Sequence, residues 1–115
     1  MYVQLTQSLL LTSVRIQGIG RSQTVNDPWF GPQTVRSPSL MDVLVRDNDP
    51  GWGMDFVDDI VLTQTLSDTT RMQEYTIPQQ SQKRGTFVMI DFKGVFNSPT
   101  TRYMGVVGIE IWGTA

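Results

Sequence analysis

Five carboxylates crowd the stretch VRDNDPGWGMDFVDD, residues 45–59: Asp47, Asp49, Asp55, Asp58 and Asp59. Like charges this close repel and raise one another's pKa. A hard divalent cation relieves that repulsion. Calcium takes six to eight oxygens at about 2.3–2.6 Å, and aspartate carboxylates with backbone carbonyls suit it. Asp47, Asp49 and Asp55 are the expected core of such a site, with Asp27 and Asp58 as further ligands. Arg46 is the only basic residue between positions 40 and 60.

Other chemistries are closed off by composition. The chain has no histidine and no cysteine, so disulfides, thiolate metal sites and the commonest general base are excluded. With no nucleophile–base constellation in view, the expectation is a protein that is not an enzyme. Residues 42–59 carry a charge of −5, which leaves +3 for the rest of a chain whose net charge is −2. The acidity is one patch, the reverse of the basic bias of a nucleic-acid binder.

Large apolar residues accompany the acids. Trp52 and Met54 lie between Asp49 and Asp55, and Trp29 and Phe30 follow Asp27 in NDPWF. Such rings either pack over the edge of a core or present themselves to a partner. Trp and Phe favour a membrane interface once neighbouring acids are neutralised. The same tip suits a glycan or a protein surface.

The elements that must position these residues read as strands. In LMDVLVRD, Met41, Val43 and Val45 share one face and Asp42 and Arg46 the other. In GTFVMIDFKGVF, Val88, Ile90 and Phe92 alternate with Asp91 and Lys93. In RYMGVVGIEIWG, Tyr103, Val107, Ile109 and Ile111 oppose Glu110 and Trp112. Strands are expected near 9–17, 40–47, 86–96 and 102–113 and in DDIVLTQTL, with short ones near 2–6, 33–36 and 73–78. Residues 67–84 read as a long polar connection. Parity carries Asp47 and Asp49 off the end of the 40–47 strand at the rim. Together these predict one all-β domain over residues 1–115, an antiparallel β-sandwich of about six to eight strands.

The pattern V-x-D-x-D, five residues, then D-F and an apolar residue resembles the third calcium loop of C2 domains, the calcium- and lipid-binding β-sandwiches. NDPWF resembles the end of that family's first calcium loop. The resemblance covers residues 40–62 and implies calcium on Asp47, Asp49 and Asp55, with Asp27 as a candidate. It also implies a phospholipid surface as target, with Trp52, Met54, Trp29 and Phe30 as contacts. An EF-hand loop starting at Asp47 is the competing pattern, but it places Trp52 where glycine belongs and Asp58 where a bidentate glutamate belongs. The carboxy-terminal GIEIWG resembles the last strand of discoidin-type, galactose-binding-like jelly rolls, which bind glycans or lipid head groups.

The expected function is therefore a calcium-dependent binding or adhesion module. Its acidic loop 47–59 would hold Ca2+ at the rim and touch a membrane, glycan or protein. The alternative is a structural β-sandwich of a larger extracellular or particle assembly, in which any ion serves stability alone. Few lysines and many Gln, Thr and Ser fit an extracellular or cell-surface setting.

Overall fold

Alternating apolar and polar residues, rich in Val, Ile, Thr and aromatics, build nine strands in the computed structural model, which describes residues 2–20, 23–47, 59–96 and 103–115. They are β1 (Tyr2–Gly18), β2 (Gln23–Asp27), β3 (Gly31–Arg36), β4 (Pro38–Arg46) and β5 (Ile60–Thr65). β6 (Met72–Thr76), β7 (Arg84–Val95), β8 (Tyr103–Met104) and β9 (Val106–Thr114) follow. A 3₁₀ turn spans Gln79–Ser81. The all-β expectation holds, with one strand more than the upper figure.

Six strands share one antiparallel hydrogen-bonded network in the order β5-β4-β7-β1-β6, with β9 also on β1. β1 makes two layers of it. Its first half pairs with β7 at Tyr2–Gln4 and again at Leu9 and Leu10, with the register broken between Gln4 and Leu9. Its second half pairs with β6 on one flank and β9 on the other. A straight β1 would carry Gly18 far beyond the Arg84 end of β7. Instead Gly18 lies against Ser37, next to the Pro38↔Val95 pair at the opposite end of β7. The strand therefore doubles back over the sheet, with a register shift between Leu11 and Ser13 at the bend. The separate strands expected near 2–6 and 9–17 are one continuous strand, because no turn residue interrupts the bend.

The core fills the space between the layers. Val14 and Ile16 of β1 pack in one cluster with Met41, Val43 and Val45 of β4 and Val88 and Ile90 of β7. Strands β1 and β4 do not pair, so this contact is face to face. Ile109 and Ile111 of β9 close over the same cluster. The expected inward faces of β4 and β7 are the observed ones. β9 departs at one point: the register slips between Gln17 and Gly18, and Val107 is exposed rather than aligned with Ile109.

A second, three-stranded sheet has the order β2-β3-β8. β2 lies in GRSQTVNDP, a segment read from the sequence only as turn chemistry. One hydroxyl ties this sheet to the sandwich: the buried Ser37 Oγ, between β3 and β4, accepts from the amides of Ile19 (2.9 Å) and Gly20 (3.2 Å).

Candidate functional site at the strand-end rim

The end of β4 builds the rim. Arg46 pairs with Phe87, so the start of β7 must lie beside the residues that follow β4. The approach is close enough to require glycine: a Cβ on Gly85 would sit 2.4 Å from the Arg46 carbonyl oxygen. Thr86 Oγ1 then donates to the Asp47 carbonyl at 2.6 Å, fixing the exposed Asp47 at the mouth.

Asp59, just before β5, is the hub of the rim's charges. Its Oδ2 meets Arg46 Nε and its Oδ1 meets Lys83 Nζ, each at 3.2 Å. Val45, Arg46, Asp47, Asp59, Lys83 and Arg84 line a polar pocket of about 340 Å³. Among the described residues, three cations and two carboxylates thus line it. Asp59, the end of an acid patch that looked nearly uncompensated along the chain, draws Lys83 from QKRG, about two dozen residues further on. The signal for Lys83 and Arg84 was available: once strand 40–47 pairs antiparallel with strand 86–96, the residues before the second strand land at the end of the first.

Asp49, Trp52, Met54, Asp55 and Asp58 lie outside the described residues. Among the described residues, no group of three or more metal-ligating side chains is gathered for an ion. Asp27 stands in the other sheet, where its Oδ1 accepts from the amides of Trp29 (2.7 Å) and Phe30 (3.0 Å). That bond shapes the β2–β3 hairpin. Asp at the first corner with Pro28 behind it suits a type I turn, and Gly31, at φ 75°, takes the left-handed position that closes a three-residue loop. Trp29 and Phe30 ride on the tip, 88% and 59% exposed.

A further ion cluster sits on the outer face of β4. Asp42, with a side chain only 7% exposed, meets Lys93 Nζ at 2.7 Å and accepts from Thr63 Oγ1, also at 2.7 Å. Burial pushes the Asp42 carboxyl up, but hydrogen bonds from Lys93 and Thr63 and the Lys93 charge outweigh it and hold it below its ordinary value. The hydrogen bond to Asp42 and then its charge raise Lys93 in turn. Asp91, opposite Asp42 in the ladder, is 4.0 Å from the same ammonium. On the outer face of the second layer, Arg15 lies between Glu74 (3.3 Å) and Glu110 (3.4 Å) and covers the Trp112 ring at 4.6 Å. These ion pairs join β4 to β7 and β1 to both β6 and β9.

No protein-family model matches this chain, and neither does any curated protein or solved structure.

Proposed function

We propose that this domain is a non-catalytic binding module of a larger extracellular or particle assembly, and that it grips a protein target with the aromatic tip of the β2–β3 hairpin. The observation that carries this is Trp29, 88% exposed on a turn already set by Asp27 and Gly31. Leaving so large a ring in water forgoes its burial energy. A pre-shaped tip loses little further freedom on docking, and Trp is the residue type most enriched at energetic centres of protein interfaces. A protein fits better than an anionic membrane, because residues 23–35 contain no Lys or Arg and Asp27 adds a negative charge. The absence of His and Cys and the ion pairs that engage Asp42, Asp59, Glu74 and Glu110 support a non-catalytic role.

The test places a photo-crosslinking residue at position 29 in the native assembly, with a second at exposed Thr65 as control. A partner-chain adduct from position 29 and none from 65 is expected. Adducts from 65 alone, or co-sedimentation with phosphatidylserine vesicles that Trp29→Ala abolishes, would sink the protein-target reading.

Calcium on loop 47–59 is the second proposal. What favours it is the shared rim pocket of Asp47 and Asp59; what opposes it is the presence of Arg46 and Lys83 in the same pocket. An ion bound only by the folded state raises the melting midpoint by mass action. Equal midpoints in millimolar calcium and in chelator would end this reading and leave the hairpin proposal intact.

A further inference from the structure

The layers part around an apolar slot of about 660 Å³, where Val3, Leu5 and Phe92 face Val106, Ile109 and Ile111. That size lies within the range of about 300–1,000 Å³ usual for small-molecule sites. Among the described residues, no charged or polar side chain lines the slot. Val107, 64% exposed, borders it on the solvent side.

A cation stands where the slot meets the small sheet. Met104 of β8 also lines the slot, and Arg36 of β3 is its ladder partner. The faces of that sheet can be assigned. A Cβ on Gly105 would meet Val35 Cγ1 at 2.9 Å and Ile19 Cγ2 at 3.3 Å, so Val35 lies on the Gly105 side. Neighbours along a strand point to opposite faces, and ladder partners to the same one. Arg36 and Met104 therefore share the other face, the one that meets the slot. Adjacent strands lie about 4.8 Å apart, within the reach of an arginine side chain.

This arginine lacks a counterion. Among the described residues no carboxylate meets its guanidinium, and its Nε is shielded from water with no acceptor. Arg15, by contrast, is held by Glu74 and Glu110, and Arg46 by Asp59. A shielded charged donor without an acceptor is costly, so its place beside an apolar slot calls for a ligand that supplies one.

We infer that the slot is a binding site for a single-chain fatty acid, with the alkyl tail between the layers and the carboxylate on the Arg36 guanidinium. Each half of the site selects one half of the ligand. The planar fork of arginine matches a carboxylate through two parallel N–H donors. An alkyl tail brings no polar group into the slot, whereas every peptide unit brings an amide and a carbonyl that the lining side chains cannot answer. The chain's own carboxy terminus is not the missing head, because the Ala115 carbonyl lies at 3.4 Å from Arg84 Nη2. The slot is separate from the β2–β3 tip, and the inference stands without it.

Calorimetric titration of the purified chain with sodium decanoate, and separately with 1-decanol, tests this. The expected result is saturable one-to-one binding of decanoate, about tenfold or more tighter than decanol, as a charge-assisted hydrogen bond provides. Arg36→Gln should weaken decanoate by a similar factor and leave decanol unchanged, which also shows that the slot is intact. Val107→Trp, at an exposed position, should block both ligands without shifting the unfolding midpoint. If Arg36→Gln unfolds the chain, the parent's preference for acid over alcohol decides. The inference is overturned if decanoate does not saturate the parent, or if acid and alcohol bind alike. Decanoate binding that ignores Arg36→Gln, or that survives Val107→Trp at full strength, would overturn it equally.

Discussion

Asp42 shows what one buried carboxylate contributes. On its β-strand it faces away from the core, yet it is almost fully covered and depends on Lys93 and Thr63. Its folded-state pKa is depressed, so the stability it confers is present above its unfolded value and is lost as pH falls through the folded one. Lys93 has a raised folded-state pKa, so its share is present below its unfolded value and is lost as pH rises through the folded one. The pair therefore supports the fold between the acid and alkaline extremes. Lys93→Met should take away the main groups holding the Asp42 carboxyl down and let burial raise it. Acid unfolding should then begin at higher pH than in the parent, and the difference between the two should disappear only as pH falls through the parent's depressed folded-state value. A constant offset at all pH values would show that Lys93 acts by packing alone.

Strand-scale pairing explains both what was legible and what was not. Two-residue periodicity named the inward faces of β4 and β7 correctly, because a sheet with one buried face cannot slip register without turning its core outward. It also put Asp47 at the rim. Three things were hidden. The bend in β1 carries no turn residue, so one strand looked like two. β2, in TVND, is short and polar, and it becomes a strand only because β3 pairs with it. The countercharges on Asp59 are far away in sequence and become neighbours only through the β4–β7 ladder. Between the two sheets, the joint depends on Ser37. Ser37→Ala would leave the Ile19 and Gly20 amides without their acceptor in a buried corner, a loss of about 1–3 kcal/mol. Chemical denaturation should show that loss as a lower midpoint with an unchanged slope. A change under about 0.5 kcal/mol would mean the corner is held by its other bonds, such as Gly105 N to the Arg36 carbonyl at 2.9 Å.

At the scale of the whole molecule, β1 is the shared member of both layers, and its partners come from the distant end of the sequence. Thr12 Oγ1 donates to the Trp112 carbonyl, a separation of 100 residues. Almost nothing local can hold such a sandwich while it forms. Refolding should therefore fall in the millisecond-to-second range typical of non-local β topologies, with β1–β9 protection acquired late in pulsed hydrogen exchange. Sub-millisecond refolding would contradict this. The same dependence reaches back to synthesis. A ribosome-bound chain that has exposed β1 through β7 lacks β9, so Val14 and Ile16 still have one uncovered flank. That flank stays open to water until the last residues have left the ribosome, so the sandwich can close only after synthesis has finished.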